Sequence, residues 1–187
     1  MKNVFFRTAF LVLAAAAAAA PVLADTLDRQ IDVTKSTAKF SVTHIWVEHV
    51  SGTLPIESGS VTLTPGSLIP QHATAVLDAT KIYTDDPDRN ASLMSPDFFD
   101  SKKYPTWTFE STSITPKGAG TFEMDGNLTI HGVTQPEKLT VTVTGDAGDP
   151  VYHATGEIDR HAFGMATTRL DPTIGGTADI TLDVKLK

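Results

Sequence analysis

The carboxyl-terminal segment of the chain alternates apolar and polar side chains without a break over residues 177–186. Its apolar positions are Ala178, Ile180, Leu182, Val184 and Leu186. A period of two places these side chains on one face of an extended strand, whereas a helix would scatter them around its surface. A strand of this length would be an aggregation-prone edge unless another strand paired with it. The segment therefore predicts a sheet that closes on itself.

The same alternation recurs along the chain. Residues 36–46 place Ala38, Phe40, Val42, His44 and Trp46 on one face. Turn residues bound further extended segments, which we predict at 53–56, 60–64, 72–82, 106–112, 121–124, 127–130, 137–144 and 152–158. We therefore predict an all-β fold, a single antiparallel β-barrel of about eight strands whose final strand closes against the first.

A short helical insertion near residues 87–100 interrupts this pattern. Asp86 precedes Pro87, and a side-chain acceptor followed by proline is typical of a helix start. Tyr104 precedes Pro105, which pushes it towards extended angles and ends the helix. The insertion and the strand after it gather four large rings, Phe98, Phe99, Trp107 and Phe109. These rings either plug one end of a β-core or line the entrance to an apolar cavity.

The amino terminus has the pattern of a secretory signal peptide. Lys2 and Arg7 precede or border an apolar run over residues 9–20, and Ala24 is the small residue at the predicted cleavage site. The run is too short and too rich in alanine to span a bilayer, and no later stretch approaches the roughly 20 apolar residues that a membrane helix needs. We expect export, removal of residues 1–24, and one domain over residues 25–187.

The composition narrows the partners and the chemistry. Cysteine is absent, which excludes disulfides, thiolate metal sites and a lipid-anchored cysteine. The formal net charge of −7 argues against nucleic acid and anionic membrane surfaces as partners, because both reward clustered Lys and Arg. The length of 187 residues suits one domain with one core.

The titratable residues give weak signals for chemistry. No pair among the six histidines has the spacing of a metal site. Asp85, Asp86 and Asp88 fit a helix start better than a calcium loop, since the glutamate that would end such a loop is missing. His44 lies on an apolar face, as a hydrogen-bonded core histidine or as a contact to a ligand head group. The sequence predicts no enzyme, no metal and no cofactor.

Small side chains occupy several positions that the alternation places inside the barrel. These positions are Ala38, Ala73, Ala75, Ala79, Ala154, Gly156 and Ala178. A barrel of about eight strands is either filled by side chains or holds one small ligand. Small residues inside favour the second arrangement.

Three stretches, DFFDSKKYPTWTFESTSI, GNLTIHGVT and GEIDRHAFGM, resemble the signatures of the YceI-like periplasmic proteins, also called the polyisoprenoid-binding family. The resemblance covers essentially the whole chain after the leader. It implies a lipocalin-like barrel around a tunnel for a long isoprenoid or similar amphiphilic lipid, in a carrier without an established catalytic centre. Where the family usually has Arg-Asp-x-His-Leu, this chain has Asn90 and Ser92 in place of the Asp and the His. We therefore do not expect this chain to make the family's contacts to the lipid head group at these positions.

These observations predict a periplasmic protein that binds or carries a long-chain isoprenoid, an isoprenoid quinone or a fatty amphiphile in a barrel tunnel. The predicted ligand-binding residues are Phe40, Val42, His44, Trp46, Phe98, Phe99, Trp107, Phe109, Phe163 and Met165. The alternative is a non-catalytic envelope stress-response protein with a filled core that acts by surface interactions. A third interpretation, a lipid hydrolase, would need a nucleophile and a base within hydrogen-bond distance. The oligomeric state stays open, a homodimer included.

Overall fold

A computed structural model describes residues 25–45, 47–165 and 171–187. The predicted leader and Trp46 lie outside these described residues. The strands are β1 (Leu27–Gln30), β2 (Thr37–His44), β3 (Glu48–Leu54), β4 (Ile56–Leu63), β5 (His72–Asp78), β6 (Thr106–Gly118), β7 (Thr121–Ile130), β8 (Val133–Thr144), β9 (Val151–Asp159) and β10 (Ile174–Lys185). One α-helix, α1 (Pro87–Met94), and three short 3-10 turns, Ala79–Lys81, Arg160–Phe163 and Asp171–Thr173, complete the described elements.

The ten strands form one antiparallel, curled sheet in the order β1-β4-β5-β6-β7-β8-β9-β10-β2-β3. Pro55 is the single residue between β3, which pairs with β2, and β4, which pairs with β5. The chain therefore turns a corner at Pro55 and joins the two sides of the curl. Counted as one bent strand, β3 and β4 give the ring eight strands, with β1 added outside it. The predicted antiparallel barrel is confirmed, although the strands number ten.

The predicted closure of the last strand on the first is also confirmed. Ile180 of β10 lies opposite Phe40 of β2, and Leu182 lies opposite Ala38. At the same end of the molecule, the segment after β1 crosses between β4 and β10. Ile31 N donates to Gly59 O at 2.9 Å. These pairings leave β10 without a free edge, as its apolar alternation requires.

Glycine explains two errors in the predicted strands, whereas β1 was not predicted at all. β3 was largely missed, because Gly52 breaks its apolar pattern. The sequence also split β7 into two strands, 121–124 and 127–130, at Asp125 and Gly126. In the structure Gly126 lies inside a continuous strand, and a Cβ there would collide with the ring of Phe109. The glycine provides room for an aromatic side chain instead of forming a turn.

The helical insertion forms where it was predicted. The Asp86 side chain caps α1 by accepting from the amides of Asp88 and Arg89, at 3.0 and 3.1 Å. Pro87 occupies the first turn, where its missing amide proton has no helical partner to lose. Asn90 Oδ1 accepts from Thr84 N at 2.9 Å and from Thr84 Oγ1 at 2.7 Å. The asparagine that departs from the family pattern thus fastens the helix to the segment before it.

Two hydrophobic clusters fill the interior. The first is centred on Phe122, Val141 and Tyr152 at one end of the barrel, with Phe122 fully buried. The second contains Phe99 and Trp107 and lies beneath the insertion. Burial of a large apolar side chain stabilises the fold by about 1.5 to 3 kcal/mol. Apolar side chains of both clusters also border empty space inside the barrel.

Candidate functional site

A cavity of about 230 Å³, the outer chamber, lies between the helical insertion and the barrel wall. The insertion supplies Leu93, Phe98 and Phe99 to its lining. The strands supply apolar side chains that alternate inward, Val42 and Phe40 from β2, Val50 from β3, Ile130 from β7, and Ala178 and Ile180 from β10. Its polar lining residues are His44, Arg89, Ser92 and Arg160. The arrangement encloses an apolar volume with a few polar groups in its wall.

A second cavity of about 90 Å³, the inner chamber, lies deeper in the barrel. Its lining includes Ala38, Leu54, Ala75 and Phe109. Four side chains line both chambers, Phe40, Trp107, Ile158 and Ile180. The two chambers therefore adjoin, and these four side chains form the wall that they share.

The shared wall is held by an aromatic pair. The rings of Phe99 and Trp107 meet edge to face, with centroids 4.8 Å apart and planes at 89°. Such a pair adds about 0.5 to 1.5 kcal/mol beyond the burial of its area. Trp107 Nε1 is buried and has no hydrogen-bond partner within the described part of the chain. The wall thus contains a donor that no described protein group satisfies.

Arg160 builds one side of the outer chamber, and sequence reasoning missed it. Its side chain is buried and donates to the carbonyl oxygens of Met165, Ile174 and Gly175, at 2.6, 2.9 and 2.6 Å. These bonds tie the segment after β9 to the start of β10. Met165 and Ile174 both line the outer chamber, so Arg160 positions them there. The available signal was a charged residue following the alternating strand β9.

The predicted binding residues are mostly brought together. Seven of them line the outer chamber, namely Phe40, Val42, His44, Phe98, Phe99, Trp107 and Met165. Phe109 lines the inner chamber. Phe163 is fully buried in the second cluster and is absent from the lining of both chambers. Trp46 lies outside the described residues.

The small residues divide between the chambers and the packed core. Ala38 and Ala75 line the inner chamber, and Ala178 lines the outer one. Ala73 and Ala154 are buried in the first cluster and line neither chamber. Small size therefore marked cavity positions only in part.

Polar groups at the mouth of the outer chamber are held by neighbours. His44 Nδ1 lies 3.7 Å from a carboxylate oxygen of Glu48. Arg89 Nη2 lies 3.5 Å from Asp86 Oδ2, at the acidic start of the helix. Ser92 lines the chamber beside Arg89. A ligand head group at this end would meet an imidazole, a guanidinium and a hydroxyl.

Sequence reasoning also missed a carboxyl group inside the barrel. Glu137 of β8 lines the inner chamber. Burial, together with the nearby charge of Asp159, raises the pKa of the Glu137 carboxyl above its usual value. Glu137 shares the parity of Leu139, Val141 and Val143 along β8, which are all buried. That parity was the signal that could have found it.

One serine and histidine pair lies at hydrogen-bond distance. Ser111 Oγ is 3.2 Å from His72 Nδ1, and His72 Nε2 is 3.8 Å from Glu110 Oε1. Ser111 Oγ also accepts from Ala73 N at 2.9 Å. None of the three side chains lines either chamber. The pair connects β5 to β6 away from the cavity.

Two further features concern the described residues only. Among residues 25–45, 47–165 and 171–187, no group of three or more His, Asp or Glu side chains is placed to hold a metal ion. Across the same residues, no helix has the length and apolar character to cross a membrane.

Comparisons with known proteins agree with this architecture. A family model described as a YceI-like domain matches residues 30–186. A Vibrio parahaemolyticus relative, described as a UPF0312 protein, is 29% identical over 195 residues, covering 100% of this chain and 98% of the relative. The crystal structure of Burkholderia cenocepacia BcnA has a TM-score of 0.77 at 22% identity, over 84% of this chain and 99% of that one.

A second solved structure is described as a polyisoprenoid binding domain from Saccharophagus degradans implicated in plant cell wall breakdown. Its TM-score is 0.61 at 15% identity, over 85% of this chain and 97% of that one. At these identities the structural neighbours establish the fold, whereas the family model spans nearly all of the barrel. The chain belongs to the YceI-like family.

Proposed function

We propose that this protein binds one long apolar lipid in its chambers and carries or sequesters it in the periplasm. The ligand class is a long-chain isoprenoid, an isoprenoid quinone or a fatty amphiphile. One observation carries the proposal, namely that an unfilled chamber of about 230 Å³ is walled mainly by apolar side chains inside the barrel. The description of the Saccharophagus degradans neighbour as polyisoprenoid binding supports this ligand class.

The driving force is the transfer of hydrocarbon out of water. Each buried methylene contributes about 0.8 kcal/mol, offset in part by the freedom that the lipid chain loses. Ligand cavities commonly measure about 300 to 1,000 Å³, so the outer chamber alone suits only part of a long chain. A longer ligand extends past the shared wall at Phe40 and Trp107 into the inner chamber, or leaves one end in the solvent.

Binding without catalysis is the function that the cavity favours. The pair formed by Ser111 and His72 has the distance that nucleophilic catalysis would need, but neither residue lines a chamber. A bound lipid would therefore not reach the serine. The unfilled chambers also favour a ligand-binding role over the alternative of a stress-response protein with a filled core.

The periplasmic location rests on the amino-terminal pattern of residues 1–24. Expression of the full chain followed by cell fractionation and intact-mass measurement tests it. We expect the periplasmic fraction to contain a chain that begins at Asp25. A chain that retains Met1, or that sediments with the inner membrane, would contradict the proposed compartment.

Lipid binding is tested with the delipidated protein and the fluorescent hydrocarbon diphenylhexatriene. We expect saturable fluorescence and quenching of Trp107 by energy transfer, because Trp107 lines both chambers. Trp107→Phe should remove most of the quenching and keep the binding. Long-chain isoprenoids should displace the probe. A probe that does not bind saturably, or that an isoprenoid cannot displace, would overturn the proposed function.

A further inference from the structure

The inner chamber is lined mainly by apolar side chains, and its charged lining residues are Glu137 and the exposed Lys39. Glu137 lines this chamber together with residues such as Leu54, Ile56 and Leu128. Its position in β8 is fixed by pairing with Gly126 of β7. The alternation of β8 points the side chain to the same side as the buried Leu139. The carboxyl group is therefore part of the chamber wall and belongs to the inner face of the barrel.

The Glu137 carboxyl has no hydrogen bond and no ion pair with any group in the described part of the chain. The next residue, Lys138, does have partners, because its Nζ lies 3.4 Å from Glu123 Oε2 and 3.3 Å from Asp125 Oδ1. Glu137 is half-buried, so its carboxyl group, without a partner among the described residues, is available to a polar group that enters the chamber.

A second group in the same wall lacks a partner. Trp107 lines the inner chamber, and its indole Nε1 is a buried donor without an acceptor among the described residues. The chamber wall thus presents a half-buried carboxyl group and a buried donor, each without a partner among the described residues. A hydrocarbon chain satisfies neither, and an ammonium group could satisfy only the carboxylate. A hydroxyl group both donates and accepts, so it is suited to either group.

We propose that the inner chamber binds a hydroxyl group of the ligand through Glu137, so that a hydroxyl-bearing lipid lies with its polar end innermost. The inference rests on the proposed function and specifies its ligand class. The remaining hydrocarbon then occupies the outer chamber, whose wall is mainly apolar. The Glu137 carboxylate accepts a hydrogen bond from the ligand hydroxyl, whereas an ether oxygen offers it no donor.

The test compares farnesol with farnesyl methyl ether, which has the same isoprenoid chain and one additional methyl group, as competitors of diphenylhexatriene. The ether keeps the oxygen and loses the donor. We expect the wild-type protein to bind farnesol about tenfold more tightly than the ether, as for one hydrogen bond to a charged group. Glu137→Leu should bring the two affinities within about twofold of each other. Glu137→Gln should retain part of the preference, since an amide also accepts.

Glu157→Leu is the matched control, because Glu157 is an exposed glutamate on the neighbouring strand β9. It should keep the tenfold preference. Melting curves of each variant confirm that it is folded, and binding of diphenylhexatriene itself should persist in all of them. Equal affinities of the wild type for both probes, or a preference that survives Glu137→Leu, would overturn the inference and leave the proposed function standing. Failure of every probe to bind the wild type would overturn the proposed function itself.

Discussion

The ring of Phe40 on β2 occupies the space that a side chain at Gly52 on β3 would fill. The two residues lie opposite each other in the ladder. A Cβ built on Gly52 would collide with Cζ of that ring and would lie 2.8 Å from Thr84 Cγ2. Phe40 also lines both chambers. Because Gly52 has no side chain, the Phe40 ring can occupy this position in the shared wall.

Gly52→Ala should push the Phe40 ring towards the chambers. Overpacking of this kind costs about 1 to 3 kcal/mol, and the displaced ring would reduce the space for a ligand. We expect a lower urea midpoint together with weaker binding of diphenylhexatriene. Adding Phe40→Leu should recover part of the lost stability, since the smaller side chain relieves the collision. Strictly additive effects in this double-mutant cycle would show that the two residues are not coupled.

Ala178→Phe should block the outer chamber with little loss of stability. Ala178 lines that chamber, so an added ring enters empty space and replaces several methylenes of a ligand. We expect a melting temperature close to that of the wild type and a loss of lipid binding.

Ala154→Phe is the matched comparison, because Ala154 is 5% exposed and belongs to the packed first cluster. There the same ring should destabilise the fold by about 1 to 3 kcal/mol. Equal destabilisation by both substitutions would mean that the outer chamber is not available space.

Arg160→Lys should destabilise the wall of the outer chamber although it preserves the charge. A lysine ammonium cannot reproduce the planar fork that reaches the carbonyls of Met165, Ile174 and Gly175. Each buried carbonyl left unsatisfied costs about 1 to 3 kcal/mol, so we expect a loss of at least about 2 kcal/mol by urea unfolding. Hydrogen exchange should rise at the start of β10. An unchanged urea midpoint would contradict this role of Arg160.

Asp32 should contribute a pH-dependent part of the stability. Its carboxylate accepts from Thr34 Oγ1 and N at 2.6 and 3.1 Å and lies 3.0 Å from Lys35 Nζ, which lowers the pKa of Asp32 to about 2. A pKa that is lower in the folded state gives stability that is complete above the unfolded value of about 3.9 and is lost as the pH falls towards 2.

Asp32→Asn should therefore be less stable than the wild type at pH 7, and the difference should shrink between about pH 4 and pH 2. Unfolding curves of both proteins across this range measure it. A stability difference that stays constant with pH would show that the carboxylate charge does not stabilise the fold.

Period-two alternation predicted the barrel because the inner and outer faces of its strands differ in polarity. The closing pair of β10 and β2 followed from the length of one apolar face. The same rule failed where a glycine serves a distant ring, as Gly52 does for Phe40 and Gly126 does for Phe109. Such uses depend on which strands become neighbours, and local sequence does not contain that information.

The candidate site shows the same division between local and tertiary information. Aromatic side chains of the insertion and of β6 were identified from their density in the sequence, and Phe98, Phe99 and Trp107 line the outer chamber. Arg160 was missed because its role comes from carbonyl groups that the fold brings to it. Glu137 was missed although its parity on β8 indicated an inward side chain. A polar residue in an alternating apolar series merits the same attention as the apolar ones.

Native mass spectrometry of the protein purified from its native cells tests the central claim most directly. We predict one lipid per chain, released by organic solvent and identified in the extract, and its absence from Ala178→Phe prepared in the same way. A wild-type protein that carries no lipid, and that binds no isoprenoid when one is supplied, would contradict the account.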